Sequence, residues 1–598
     1  MKSKKTVTEK TEPRLRSREW FDIPGDPSAT ALHLERYTNF GISVAELRSG
    51  KPIIGIAQTG SDLVPCNRIH MSLVHRVRDG IRESGGIPLE FPVHPIQESG
   101  KRPTAALDRN LQYLGLVEVL FGYPIDGVVL TIGCDKTTPA LLMAASTVDI
   151  PAICLSSGPM MNGYWKGERA GSGTIVWKAR KLLAAGEIDE EEFIQLVVDA
   201  TTSPGYCNTM GTATTMNSLA EGLGMSLPGC AAIPAPLSER GKMSYRTGLR
   251  IVEMVKEDLT PSKIMTRQAF ENSVVLNSAI GGSTNAPIHI NAIARHVGVK
   301  LEIAEWEKIG LEIPLLVNMQ PTGKYLGEDF HRAGGVPAVM NTLLKAGKLH
   351  DSALTVNGKT VAENYAETAT QDMDVIRTFK EPILENAGFV VLKGNLCDAA
   401  VMKTSVISDN FRAQYLANPG SKNVFEVRAI VFEGPEDYHA RINDAELNID
   451  VDCILVIRGC GPVGYPGSAE VVNMQPPDSL IRKGISELPT LGDGRQSGTS
   501  GSPSILNASP ESAVGGGLAL LKTGDMIRID LNHGELDMLI DESELRKRRE
   551  NLKSVKIENQ TPWQEIYRNT VGQLSSGGII ELAAKYRKIK KTIPRHSH

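Results

Sequence analysis

Gly127-Val128-Val129-Leu130-Thr131-Ile132-Gly133-Cys134-Asp135-Lys136-Thr137-Thr138-Pro139 is the stretch that decides how the first part of this chain folds. Its first six residues form a short apolar run, which predicts a buried strand. Gly133 ends the run, and Pro139 stands where the first turn of a helix tolerates proline. The strand end therefore delivers a thiol, a carboxylate and an amine within three residues, at the edge where α/β sheets place ligands. The competing reading is a surface ion pair between Asp135 and Lys136 ahead of the helix.

The pattern extends in both directions. Short apolar runs at Pro52 to Ala57 and Ile150 to Leu155 alternate with the helix-like segment Ile69 to Ser84, which predicts an α/β domain with a parallel sheet. Cys66 follows the first run by a loop, in the same relation that Cys134 bears to its strand. From about 236 to 380 apolar residues recur at three- and four-residue spacing, as in Tyr245 to Glu257 and at Ile290, Ile293, Ala294 and Val297, so this part is read as helical. Phe389 to Leu392, Ala429 to Phe432, Cys453 to Ile457 and Met526 to Asp530 are short β-like runs between glycine loops. The fold class is thus α/β, with a β-rich α/β second domain. The expected limits are a flexible arm over 1–17, an N-terminal domain over 18–385 and a C-terminal domain over 386–598 that ends in a helical tail from Trp563 to Lys591.

Composition excludes several functions. Lys and Arg number 65 against 69 Asp and Glu, for a formal net charge of -4 and no basic stripe, which argues against nucleic acid as a partner. No apolar stretch approaches the length of a membrane span, and the first twenty residues lack the apolar core of a secretory signal. A cytoplasmic location is expected. Eight cysteines in 598 residues are too few for a disulfide scaffold and leave thiolates free for metal.

Three of those cysteines stand in short polar segments flanked by glycine or proline: Pro65-Cys66-Asn67, Gly133-Cys134-Asp135 and Gly205-Tyr206-Cys207-Asn208. Soft thiolates and a hard carboxylate side by side suit different metals, so one site can hold two kinds. The bland alternative makes each a small buried hydrophobe, as Cys154 and Cys453 in their apolar runs are expected to be. Cys207 precedes a helical segment, whose N-terminus would lower its thiol pKa. Glu98 and Glu470 lie on irregular loops; either is a candidate Mg²⁺ ligand with Asp135, or else a solvated glutamate. Gly492-Asp493-Gly494-Arg495-Gln496-Ser497-Gly498-Thr499-Ser500-Gly501-Ser502-Pro503-Ser504 reads as a binding loop for a hydroxylated or anionic ligand, or as a flexible linker. No Walker-type or dinucleotide-binding glycine motif is present, which weakens kinase and dehydrogenase readings.

Taken together, Pro65-Cys66-Asn67, Gly133-Cys134-Asp135-Lys136-Thr137-Thr138-Pro139, Cys207-Asn208-Thr209-Met210-Gly211-Thr212-Ala213 and Asp493-Gly494-Arg495-Gln496-Ser497-Gly498-Thr499-Ser500-Gly501 resemble the dihydroxyacid and sugar-acid dehydratase family. The resemblance spans nearly the whole chain. Within the family the chain is similar to the pentonate branch, through Gly55 to Asp62, Ala469 to Pro477 and Thr561 to Arg568. It departs from the branched-chain pattern by carrying Ile96-Gln97-Glu98 where those enzymes have Asp-Gly-Ile, and Leu506-Asn507-Ala508 where they have Gly-His-Val.

That resemblance implies a hydro-lyase acting on a sugar acid, D-xylonate first, with L-arabinonate and D-gluconate as alternatives. It implies an iron-sulfur cluster of the 2Fe-2S type on Cys66, Cys134 and Cys207. It also implies Mg²⁺ on Glu98, Asp135, Glu470 and a carbamylated Lys136, with Ser497 as the catalytic base. A homo-oligomer, dimer or tetramer, is expected on the same ground, and His596 and His598 either reach a neighbouring subunit or belong to a loose tail. The rivals are an iron-sulfur redox sensor, which needs no Mg²⁺ site, and structural zinc, which would leave the protein colourless.

Overall fold

A computed structural model of the chain describes residues 15–554, 557–592 and 594–595. Most of the arm expected over 1–17, and both His596 and His598, lie outside these residues. Where the description begins, the Arg16 guanidinium donates to the Ile125 carbonyl at 2.9 Å and the Ser17 amide to the Asp126 carboxylate at 3.0 Å.

The first unit is a four-stranded sheet of β1 (Ile53–Gln58), β2 (Ile87–Pro92), β3 (Gly127–Ile132) and β4 (Ala152–Ser156). All neighbours run parallel and the spatial order is β2-β1-β3-β4. The chain turns one way from β1 and the other way from β3, so a crevice opens between the carboxyl ends of these two strands. The loops that leave that edge carry Cys66 after β1, Glu98 after β2 and Cys134 to Lys136 after β3. Every residue of β3 is buried, as is every residue of the following helix Thr137–Val148, so neither shows a polar face. Helices Ala105–Gly122 and Ala286–Val297 lie against that buried helix.

The β-rich unit closes on itself. Its strands are β5 (Phe389–Gly394), β6 (Cys397–Lys403), β7 (Val424–Phe432), β8 (Cys453–Ile457), β9 (Thr490–Gly492), β10 (Ser504–Ser509), β11 (Met526–Asp530) and β12 (Glu535–Met538). They form a barrel in the order β8-β9-β10-β6-β5-β12-β11-β7, which leaves no sheet edge unpaired. Alternation sets its two faces: Ile454 and Val456 of β8 pack with Val427 and Ile505, whereas Cys453, Leu455 and Ile457 pack with Ile430 and Leu506. The segment 492–504, which composition allows as a linker, instead runs between the parallel-paired strands β9 and β10.

The tail corrects the expectation of a continuous helix from Trp563 to Lys591. It holds one short helix, Pro562–Arg568, followed by single 3-10 turns. Gly577 at φ 96° and Gly578 at φ 55° turn the backbone through left-handed conformations that end regular structure. Tyr567, Ile579, Ile580, Ala583 and Ala584 pack in the same core as the four-stranded sheet, so the last part of the chain returns to the first unit. Among the described residues no helix is long and apolar enough to cross a membrane.

Candidate active site

Glu98, Asp135 and Glu470 each place one carboxylate oxygen within 4.8 Å of the others, the only such group of potential ligands among the described residues. Glu98 and Asp135 come from the crevice of the parallel sheet, and Glu470 from the loop between β8 and β9. Lys136 stands among them, 3.0 Å from Glu98 Oε2 and 3.8 Å from Asp135 Oδ2. Its side chain is 0% exposed, which removes the surface ion-pair alternative. The 3.0 Å contact is off-axis for a hydrogen bond, so both Lys136 Nζ and Glu98 Oε2 are buried without a hydrogen-bond partner.

Arg495 is one of the residues that join the two units. Its guanidinium donates to Glu98 Oε1 at 3.1 Å, to Glu470 Oε1 at 2.8 Å, to Asn285 Oδ1 at 3.2 Å and to the Ser468 carbonyl at 3.0 Å. Asn285 in turn donates to Glu470 Oε1 and to the Gln496 carbonyl, each at 3.1 Å. Neither was singled out from sequence, although Arg495 lies in the glycine-serine loop. Asn285 precedes Ala286-Pro287, where proline at the start of a helix marks the boundary.

The carboxylates differ in proton affinity. Burial raises the Glu98 carboxyl, but the Lys136 and Arg495 charges outweigh it and hold it at about 2. Burial pushes Asp135 up to about 6 against the pull of Lys136, and burial with the Glu98 charge pushes Glu470 up to about 7. Two of three clustered carboxylates thus resist ionisation beside only two fixed cations, the electrostatic signature of a place short of positive charge.

Cys134 shares its loop with Asp135, while Cys66 follows β1 and Cys207 precedes the helix Thr212–Gly222. Cys66 and Cys207 line one cavity of about 530 Å³ with Gln97, Met160 and Ser172. Gln97 connects Cys66 and Cys134, donating to Cys66 Sγ at 3.3 Å and accepting from Cys134 Sγ at 3.8 Å, while its neighbour Glu98 belongs to the carboxylate group. Asn67 holds this end of the sheet by accepting from the Cys134 amide at 2.7 Å and donating to Thr59 and Thr137. A side chain at Gly133 would run into Asn67 Oδ1 and Ser157 Oγ, which explains the glycine between β3 and Cys134. All three thiols are free. The pKa expectation for Cys207 is corrected: the helix begins only at Thr212, and burial pushes the thiol up to about 11. Cys134 is raised as well, by its hydrogen bond with Cys66 and by burial. Cys154 and Cys453 lie buried in β4 and β8.

Ser497 sits two residues beyond Arg495, with its Oγ 2.9 Å from Thr499 Oγ1 and 3.4 Å from the Thr499 amide. Trp177 Nε1 donates to the same Thr499 hydroxyl at 3.0 Å, which fixes the loop against the helix Thr174–Ala185.

Loops at the sheet's switch point, a carboxylate cluster and a thiol-lined cavity together describe a metal-assisted enzyme, and the sequence comparison specifies its class. The chain belongs to the dihydroxy-acid/6-phosphogluconate dehydratase family, matching its N-terminal domain over residues 51–364 and its C-terminal domain over 374–578. It is accordingly a hydro-lyase. It is 62% identical over 99% of both chains to the D-xylonate dehydratase of Caulobacter vibrioides, and 47% identical over 90% of both chains to the L-arabinonate dehydratase of Rhizobium leguminosarum. The dihydroxy-acid dehydratase of Caldanaerobacter subterraneus is 36% identical over 92% of this chain and 97% of its own.

Proposed function

We propose that the protein dehydrates an aldonic acid, D-xylonate first and L-arabinonate or D-gluconate as alternatives, to the 2-keto-3-deoxy acid. The observation that carries this reading is the carboxylate trio around buried Lys136, set against a thiol-lined cavity by the single loop of Gln97 and Glu98. The high identity to a D-xylonate dehydratase supports the choice of substrate.

Cys66, Cys134 and Cys207 would hold a 2Fe-2S cluster, and Glu98, Asp135, Glu470 and a carbamylated Lys136 would hold Mg²⁺. The donor chemistry fits, since thiolates suit iron-sulfur and hard oxygens suit Mg²⁺. The buried Lys136 Nζ, which lacks a hydrogen-bond partner, fits as well, because an ammonium there repels a cation while a carbamate supplies it with oxygen. When bound, the two groups supply Lewis acidity that eases charge build-up at C2 and loss of hydroxide from C3.

In this scheme Ser497 acts as its alkoxide, which a cation held by Glu98, Asp135 and Glu470 would stabilise, and its Oγ takes the proton from C2 of the substrate. The electrons of the C2–H bond form the C2–C3 double bond as the C3–O bond breaks, and the departing hydroxide takes up a proton to leave as water. The enol then tautomerises to the 2-keto acid with no change in redox state. Arg495 keeps Glu98 ionised and holds Glu470 in place, and Asn285 holds the carbonyl of Gln496, the residue before Ser497. A homo-oligomeric state and a cytoplasmic location belong to the same proposal.

The test is formation of 2-keto-3-deoxy acid by anaerobically purified protein with Mg²⁺, offered D-xylonate, L-arabinonate, D-gluconate and 2,3-dihydroxyisovalerate at equal concentration. Preference for a pentonate is expected. Activity on dihydroxyisovalerate alone would overturn the substrate class, and no turnover with cluster and cation intact would favour the redox sensor. Cys134→Ser is expected to lose the cluster's visible absorption together with its iron and sulfide; wild-type content would remove Cys134 from the ligand set.

A further inference from the structure

Trp177 lies on the helix Thr174–Ala185, which belongs to a small outlying unit with its own core of Ala170, Ile175, Ala179, Leu196 and Ala200. That core is separate from those of the sheet and the barrel. The unit touches both halves of the site. Ser172 Oγ donates to Cys207 Sγ at 3.5 Å and the Ser172 amide to Asn208 Oδ1 at 2.9 Å, while Trp177 reaches across to the loop of Ser497. The Arg180 guanidinium, 4.8 Å from the centre of the Trp177 ring, covers the face of the indole.

Thr499, the residue Trp177 meets, is held on its methyl side and on its hydroxyl side. A Cβ added at Gly173 would stand 2.6 Å from Thr499 Cγ2, and one at Gly211 2.9 Å from it, so both glycines permit a close approach. The hydroxyl has the Trp177 indole nitrogen at 3.0 Å and Ser497 Oγ at 2.9 Å. The first bond sets the direction of the second. An indole N–H only donates, so it takes a lone pair of Thr499 Oγ1. Among the described residues the remaining partner for the Thr499 O–H is Ser497 Oγ, which therefore accepts from it. The Thr499 amide donates to the same oxygen at 3.4 Å. Two donors aimed at Ser497 Oγ suit an oxygen that carries negative charge, whereas the reverse direction would require a proton on Ser497.

We propose that Trp177 is a positioning residue for the base: its indole N–H fixes the Thr499 hydroxyl as a donor to Ser497 Oγ, so that the outlying unit orients the group that removes the C2 proton. The inference rests on the reading of Ser497 given above. Trp177 acts through Thr499 and exchanges no proton. In the reaction the C2 proton passes to Ser497 Oγ, while the Thr499 O–H and the indole N–H bonds stay intact. Without the indole donor the Thr499 hydroxyl is free to turn away from Ser497 Oγ, and the base loses one of its two hydrogen bonds.

The test compares holoenzymes on whichever of the four acids the wild type turns over fastest, unlabelled and deuterated at C2. One variant is Trp177→Phe. The other carries β-(3-benzothienyl)alanine at position 177 alone, which keeps the shape of the indole with sulfur in place of N–H and serves if the Phe variant does not fold. In both, kcat should fall about tenfold, the scale of one lost hydrogen bond, while KM stays within about twofold. The isotope effect on kcat should be at least as large as that of the wild type, because the slowed step is removal of the C2 proton. Wild-type kcat in the benzothienylalanine protein overturns the role of Trp177. So does a fall in kcat with a smaller isotope effect or a KM raised about tenfold, which would make Trp177 a wall of the substrate path. No turnover of any of the four acids by the wild type overturns the dehydratase reading and this inference with it, a distinct failure seen before any variant is made.

Discussion

Ser497→Ala is expected to keep the visible absorption of the proposed iron-sulfur cluster and to lower kcat by about 10³-fold or more, toward the upper end of what a single proton-transfer group contributes. The retained cluster follows from geometry. Among the described residues Ser497 Oγ hydrogen-bonds only within its own loop, to Thr499, while Arg495 holds Glu470 through a separate bond. The lost activity follows from chemistry, because the carbon acid at C2 lies beside a carboxylate and does not ionise without a positioned base. Turnover near the wild-type value, measured with cluster content matched, would take Ser497 out of the mechanism.

The second large effect is on stability. Arg495→Leu is expected to destabilise the protein by about 3–5 kcal/mol, the range for removing one partner of a buried ion pair. Arg495 is 1% exposed and is the direct link between Glu98 of the first unit and Glu470 of the second. Without it Glu470, already raised to about 7, gains further proton affinity, and the Glu98 carboxyl rises from about 2. Denaturant unfolding followed by cluster absorption and by tryptophan emission should resolve two transitions in the variant. A single transition displaced by less than about 1 kcal/mol would show that the units do not depend on this bridge.

Local pattern made much of the fold legible. The run Gly127 to Ile132 is a strand because its aliphatic residues are buried on both faces, and a strand followed directly by a helical pattern admits few arrangements other than a parallel sheet. Closure of the barrel was not legible. β9 has three residues and β12 four, too few to display a period, and pairing of β10 with β6 joins segments about a hundred residues apart.

The site divides in the same way. Asp135 and Lys136 stand out because three chemically different side chains follow one strand end. Glu98 and Glu470 are two acids among 69, and the resemblance to a family, not their local sequence, drew them out. Arg495 and Asn285 gave no local signal of an ionic hub, since their partners come from loops distant in sequence.

The return of the tail to the first unit has a consequence for how the enzyme is made. The ribosome delivers the parallel sheet, with all three cysteines, long before Gly577 and Gly578, whose carbonyls satisfy Arg109 behind the site. During that interval the nascent chain carries exposed thiols and an incomplete first core. Completion of the first core is therefore a late event that waits for the segment around Gly577 and Gly578, and a message cut short before that segment would yield a protein whose opening domain is unfinished.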